Sequence, residues 1–274
     1  MLMMSKYQIV AVDLDGTLLN EHSQLNPRTI AAVKAAKEQG VHVVVCTGRP
    51  LAGVRDFLAQ LDLLDPDDYV ITFNGSLVQK TSDEAVLVRH TISFTDFFDL
   101  EYLGRKMGVH MHAEDDHHMY TTNKNISPYS VGESYLTHMP IRYRAIDDFP
   151  ASKRFSKVMF IDDPKLLDAM QGQIPQKYLD RFRFVRSEPF FLEVINPNAS
   201  KGNALRDLAK RLGVAKEAVM AFGDQGNDIS MLEFAGTGVA MANAIPEVKE
   251  TAQITTASNI EDGVAQAIEK YVLN

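Results

Sequence analysis

The chain has 274 residues, with 28 Lys and Arg against 36 Asp and Glu, a formal charge of −8. That acidic balance argues against a nucleic-acid or anionic-membrane binder, whose footprint is a net basic surface. A hydrophobic content of 45% with 23% charged residues is that of a folded globular protein, and the length suits one large domain or two smaller ones.

A single cysteine, Cys46, cannot form an intramolecular disulfide, which fits a reducing compartment. The opening Met1-Leu2-Met3-Met4-Ser5-Lys6 has neither the basic region nor the long apolar stretch of a signal peptide. No segment approaches the ~18 uninterrupted apolar residues of a membrane-spanning helix. The best early candidate, Ile9 to Leu19, is broken by Asp13 and Asp15. A soluble cytoplasmic protein is expected, with neither nucleic acid nor membrane as partner; oligomeric state is left open.

In the first ninety residues strand and helix signals alternate. Tyr7 to Val12 is a short apolar, β-branched run that ends where Asp13 begins a polar turn. Asn26 is placed to cap a helix, Pro27 fits its first position, and Gly40 closes it. Val41 to Cys46 is a second buried-strand candidate, stopped by Thr47-Gly48-Arg49-Pro50. Leu51, Val54, Phe57, Leu58 and Leu61 share one helical face. Tyr69 to Phe73 is a third strand, and Asn74-Gly75 a strong turn signal.

The last eighty residues repeat the rhythm. Strands are expected at Phe190–Ile195, Ala218–Phe222, Gly238–Met241 and Gln253–Thr256, with helices on Leu205, Leu208 and Leu212, over Asn227–Phe234 and over Glu261–Val272. Such alternation implies an α/β fold with a mostly parallel sheet and helices on both faces. Between about Val86 and Pro189 the pattern changes to aromatic and His-rich strands mixed with helices such as Thr95–Met107. The predicted organisation is an α/β domain of residues 1–86 and 190–274, with an α+β domain of residues 87–189 inserted into it.

Asp13-Leu14-Asp15-Gly16-Thr17 directly follows the first strand, where ligands of parallel sheets bind. Residues i and i+2 project to one side of an extended chain, so both carboxylates can face one site, and Gly16 permits a sharp turn. Two carboxylates in one place repel unless a cation compensates them or one keeps a proton. Thr47-Gly48 follows the second strand at the same sheet edge, where a hydroxyl and free N–H groups make an anion cradle. Lys201 opens the Leu205/Leu208/Leu212 helix against the helix dipole, which a phosphoryl group or a carboxylate partner explains. Gly223-Asp224-Gln225-Gly226-Asn227-Asp228 follows another core strand; two acids and an Asn there suit a hard cation, and oxygen ligands without Cys favour Mg²⁺ over zinc.

These four segments, in this order around one large insertion, resemble the haloacid dehalogenase (HAD) superfamily of phosphotransferases. The position of the α+β insertion is similar to that of its Cof-type branch, and Ile71–Gly75, Phe191–Val194 and Ala240–Ala244 resemble segments of bacterial sugar-phosphate phosphatases in it. The resemblance implies a Rossmann-like core, a cap domain that sets specificity, and hydrolysis of small phosphorylated metabolites such as sugar phosphates. It implies Asp13 as the nucleophile that forms an aspartyl-phosphate, and Asp15 as the acid and then the base. Mg²⁺ would be held by Asp13, the Asp15 backbone carbonyl and Asp224, with Asp228 in support. Phosphate would be gripped by the Leu14 N–H, Thr47, Gly48, Lys201 and Asn227. The rival readings are a phosphomutase on the same scaffold and a non-catalytic phosphate-sensing module.

Other features read as structural. His110, His112, His117 and His118 beside Glu114, Asp115 and Asp116 could suggest a second metal site, but a polar hairpin accounts for them, with some side chains available to substrate. Cys46 reads as a core thiol, the Phe94, Phe97, Phe98 cluster as core, and Arg181 and Arg183 as solvated strand residues.

Overall fold

The computed structural model describes residues 6–274; residues 1–5 of the Met1–Lys6 stretch considered for a leader lie outside them. Strands β1 to β5 span Ile9–Asp13, His42–Cys46, Tyr69–Thr72, Leu77–Lys80 and Val86–Arg89. Strands β6 to β13 span Ile92–Ser93, Met111–Glu114, Met119–Thr121, Ile141–Tyr143, Arg154–Phe155, Lys157–Ile161, Arg183–Glu188 and Phe191–Ile195. Strands β14 to β16 follow at Val219–Gly223, Thr237–Ala240 and Ile254–Thr255. Helices α1 and α2 are Pro27–Glu38 and Arg55–Gln60; α3 to α6 are Phe94–Met107, Pro128–Thr137, Pro164–Gln171 and Gln176–Leu179; α7 to α10 are Lys201–Leu212, Ile229–Phe234, Pro246–Thr251 and Gly263–Tyr271.

The described residues divide into two compact units. One holds the chain up to Gly48 with 54–88 and 200–274; the other holds Arg49–Gly53 with 89–199. In the first, an eight-stranded sheet has the order β16-β15-β14-β1-β2-β3-β4-β5. Strand β1 pairs in parallel with β14 on one side and β2 on the other, and Ile9, Val10, Ala11 and Val12 are wholly buried. A parallel strand covered on both faces reads as an unbroken apolar run, and burying each Ile or Val side chain contributes about 1.5–3 kcal/mol. The strand that carries Asp13 is thereby firmly seated. Pairing from β16 through to β3 is parallel, so the carboxyl ends of β1, β2, β3 and β14 share one edge; β4 returns antiparallel to β3.

Helix α1 begins and ends as its sequence dictates, with Asn26 at the N-cap, Pro27 first, and Gly40 at φ +82° just beyond its end. The Asn26 side chain does not cap; its amide instead accepts from Asn20 and donates to Asp262. The face expected over Leu51–Leu61 is broken, with a short turn at Leu51–Gly53 before α2.

The second unit has a six-stranded sheet, β12-β13-β11-β7-β8-β9, and a β10-β6 ribbon. Its core packs Phe97, Leu100 and Leu103 of α3 and Leu167 and Met170 of α5 with Val158, Phe160 and Leu192 of the strands. Helix α3 starts at a reciprocal cap between Ser93 and Asp96 and stops at Gly108, φ +68°. Strand β13 pairs antiparallel with β11 and β12, so the boundary expected at residues 189 and 190 falls between Ala199 and Ser200. A buried strand in an antiparallel sheet and one in a parallel sheet look alike as apolar runs, which is why Phe190–Ile195 read as core. Arg181 precedes β12 and pairs with Asp96 and Asp99 at 2.7 Å each, and Phe98 is half exposed while Phe97 is buried.

The four histidines near residue 115 do not converge. His110 pairs with Asp162 at 2.7 Å, and buried His112 contacts Ser130 at 2.9 Å and Glu114 at 3.2 Å. His117 and His118 lie in the β7–β8 hairpin turn, where Asp115 accepts from both of their backbone N–H groups. The polar-hairpin reading describes this segment.

Candidate active site

The Asp13–Thr17, Thr47–Gly48, Lys201 and Gly223–Asp228 segments all belong to the first unit. Asp13 ends β1, and the chain then turns tightly through Leu14–Leu18, closed by a hydrogen bond from the Leu19 N–H to the Leu14 carbonyl at 2.9 Å. Gly16 sits at φ +81°, and a Cβ there would lie 2.5 Å from Asp224 Oδ2, so the turn requires glycine both for its dihedral and for the close approach. Thr17 donates its hydroxyl to Asp224 Oδ1 at 3.0 Å, which fastens the turn after β1 to the loop after β14.

That second loop is itself folded back by Asp228. Its Oδ2 accepts from the backbone N–H groups of Asp224 and Gln225 at 2.9 and 3.0 Å, and a Cβ on Gly223 would lie 2.3 Å from the Asp228 Cβ. The remaining oxygen, Oδ1, faces Lys201 Nζ at 2.6 Å, and the same ammonium reaches Asp13 Oδ1 at 2.5 Å. Lys201 is wholly buried and Asp13 nearly so. The lysine that opposes the dipole of α7 therefore has carboxylate partners, and α7 is capped independently by Ser200, whose hydroxyl accepts from the Asn203 N–H.

Asp13, Asp224 and Asp228 are all buried, with ligand oxygens within 4.8 Å of one another. One ammonium faces three carboxylates, so the cluster is short of positive charge. Burial pushes the Asp13 carboxyl up to about 8; Lys201 opposes that rise, and Asp228 and Asp224 add to it. Burial also raises Asp224, with Thr17 opposing and Asp228 reinforcing. For Lys201 burial alone would lower the value, yet Asp13 and Asp228 outweigh it and hold the ammonium above the ordinary lysine range. A bound cation relieves this imbalance without protonating a carboxylate. The donors are all oxygen, which suits a hard ion such as Mg²⁺. Asp228 Oδ2 already accepts two hydrogen bonds, whereas the Asp224 oxygens accept one each, from Thr17 and Gln225, and Asp13 Oδ1 faces Lys201, so Asp13 and Asp224 keep more lone pairs to offer.

Asp15 stands outside this trio, with an exposed side chain. Leu14 is buried between the two acids, and its N–H lies in the tight turn. Thr47 is buried after β2, its N–H donating to the Ile71 carbonyl at 2.8 Å. Asn227 is exposed on the Gly223–Asp228 loop. Cys46, at the end of β2, is driven up to about 12 by burial and donates to the Val44 carbonyl, so it stays a thiol.

Three contributors were not singled out as site residues from the sequence. Asn74 accepts from Asn227 Nδ2 at 3.0 Å and lies over Gly48, where a Cβ would come within 3.1 Å of its amide. Gly75, at φ +95°, lets the turn after β3 approach the start of α7, since a Cβ would lie 2.1 Å from the Ser200 carbonyl. Asn243 donates to the Gly16 carbonyl at 2.8 Å and so supports the turn after β1. The Asn74-Gly75 pair carried a turn signal, and both it and Asn243 lie in segments that resemble the family, but nothing in the sequence pointed to these contacts.

Buried acids at the carboxyl edge of a parallel sheet, gripped by a lysine from a later helix, also place the chain among known proteins. A family model described as haloacid dehalogenase-like hydrolase matches residues 10–268. A Bacillus subtilis relative, "Putative phosphatase YxeH", is 46% identical over 97% of this chain and 99% of its own. Another from Bacillus subtilis, "5-amino-6-(5-phospho-D-ribitylamino)uracil phosphatase YcsE", is 32% identical over 97% of this chain and 96% of its own. The crystal structure of a haloacid dehalogenase-like hydrolase from Bacteroides thetaiotaomicron superposes with a TM-score of 0.86 at 29% identity, covering 96% of this chain and 99% of that one. The chain belongs to the haloacid dehalogenase-like hydrolases, in their Cof-type branch.

Proposed function

We propose that the protein is a Mg²⁺-dependent phosphatase of small phosphorylated metabolites, with sugar phosphates and their relatives as the substrate class. The observation that carries this reading is Asp13: a carboxylate at the end of the central strand, held by Lys201 and accompanied by Asp224 and Asp228. An acid that served only to bind phosphate would repel it; an acid positioned by a buried ammonium is suited to attack it.

In the first step an Asp13 oxygen attacks phosphorus and the ester P–O bond breaks, while Asp15 passes its proton to the departing alkoxide. In the second, the Asp15 carboxylate takes a proton from water, the water oxygen attacks phosphorus, and the bond to Asp13 breaks to release phosphate. The exposure of Asp15 supports this role, because leaving groups and water reach it from solvent. Lys201 neutralises charge on Asp13 and the phosphoryl oxygens, while the Leu14 N–H, Thr47, Gly48 and Asn227 orient them. Asp13, the Asp15 carbonyl and Asp224, with Asp228 in support, would hold Mg²⁺, which when bound would supply the missing positive charge.

The substrate class draws support from relatives. YcsE is named for a phosphorylated ribitylamino compound, an ester on a sugar-alcohol chain. The second unit, an insertion in the sequence, is the part proposed to select among leaving alcohols. The reading is tested with p-nitrophenyl phosphate and then a panel of phosphorylated metabolites. Phosphate release with Mg²⁺, abolished by chelation, is expected; isomerised sugar phosphate with little free phosphate would contradict it.

A further inference from the structure

We propose that Asn74 is a positioning residue for phosphate, acting by fixing the orientation of the Asn227 amide. The inference rests on the phosphatase reading and adds to it a residue from a third strand end. Asn227 is exposed on a loop, and a surface amide turns freely unless something holds it. Its Nδ2 carries two N–H groups, and one donates to Asn74 Oδ1 at 3.0 Å. That bond leaves the second N–H of Asn227 in one defined direction, ready for a phosphoryl oxygen.

Asn74 is itself held in place. Its backbone N–H donates to the Thr47 carbonyl at 2.9 Å, which ties it to the loop that carries the anion-binding hydroxyl. Its side chain lies across Gly48, where any Cβ would crowd the amide at 3.1 to 3.4 Å. The absence of a side chain at Gly48 is what leaves room for Asn74. The backbone at Asn74 is left-handed, φ +54° and ψ 32°, and follows another left-handed residue, buried Phe73 at φ +50°. Asn and Gly occupy that region readily, whereas Phe does so at a cost that the surroundings must offset. The turn thus aims one amide toward both the Thr47-Gly48 loop and the Gly223–Asp228 loop.

The test measures the KM for p-nitrophenyl phosphate and inhibition by orthovanadate for wild type, Asn227→Ala, Asn74→Gly and the double variant. Glycine suits the left-handed backbone, so Asn74→Gly removes the amide without adding strain. Losing a donor to a charged oxygen weakens binding by roughly tenfold or more, and Asn227→Ala is expected to do so. Asn74→Gly should raise KM and weaken vanadate similarly with a smaller fall in kcat, and the double variant should be no worse than Asn227→Ala alone. Additive losses, or unchanged vanadate inhibition in Asn74→Gly, overturn the inference. Should Asn74→Gly fail to fold, Asn74→Asp keeps the acceptor oxygen, and Asn227→Ala must then cost its full wild-type loss in that background; a diminished loss overturns the proposal. A wild-type protein that neither releases phosphate nor binds vanadate overturns the phosphatase reading itself.

Discussion

Replacing Lys201 by Met removes the one positive charge from a buried group of three carboxylates while nearly keeping the side-chain volume. The ammonium lies 2.5 Å from Asp13 and 2.6 Å from Asp228. At an effective dielectric of about 20 each contact is worth about 6 kcal/mol of Coulomb energy. Removing a buried ammonium from water costs several kcal/mol and offsets much of that gain, yet breaking such a pair by deleting one partner typically costs about 3–5 kcal/mol. For a unit of this size that is a fall in melting temperature of roughly 6–20 °C. The chain has no tryptophan, so circular dichroism or calorimetry is the appropriate readout. Asp228→Asn provides the internal control: it removes one negative charge but leaves an oxygen for the N–H groups of Asp224 and Gln225. It should destabilise the wild type and recover part of the loss in Lys201→Met. An unchanged melting temperature for Lys201→Met, or a further loss on adding Asp228→Asn, would refute the buried charge shortage.

Gly16→Ala should abolish turnover and lower stability by about 1–3 kcal/mol, because its Cβ would meet Asp224 Oδ2 at 2.5 Å. Gly40→Ala has the same left-handed backbone with nothing within 4 Å, so it should cost only about 1 kcal/mol and leave activity intact; melting curves and phosphate release separate the two. In the second unit, burial would raise Asp96, but Ser93 and Arg181 hold it below its ordinary value of 3.8. A carboxyl depressed by folding stabilises above its unfolded value and loses that contribution as acidification passes its folded value. The melting-temperature gap between wild type and Asp96→Asn should therefore be open near neutral pH and narrow below about 3.8; a gap that widens in acid would show that the cap is not ionic. Asp15→Asn should slow hydrolysis most for alcohols of high pKa, whose departure needs a proton, and least for p-nitrophenol; a uniform loss across leaving groups would contradict proton transfer by Asp15.

The features legible in the sequence were those set by local chemistry. A parallel strand buried on both faces announces itself as an apolar run, and β1, β2 and β14 each end at the chemical segment expected of them. Lys201 stood out because a cation at a helix start is locally unfavourable, and its partners, Asp13 and Asp228, lie 188 and 27 residues away. What was not legible depended on partners chosen by topology. Phe191–Ile195 reads the same in either sheet, and only its pairing with β11 and β12 assigns it to the second unit. Asn74 carried a turn signal inside a segment that resembles the family, but its contact with Asn227, 153 residues on, is set by topology alone. The histidines of the inserted segment formed a plausible ligand set by spacing alone, and their separate partners, Asp162, Ser130 and Glu114, dissolve it.

In the proposed reaction Asp13 carries the phosphoryl group between the two halves. Rapid acid quenching after mixing with Mg²⁺ and a substrate labelled in its phosphate tests this directly. Label is expected on the peptide that contains Asp13, released by hydroxylamine as an acyl phosphate is, and absent from Asp13→Asn, which should also fail to turn over. Steady phosphate release with no label on that peptide, or undiminished turnover by Asp13→Asn, would contradict it.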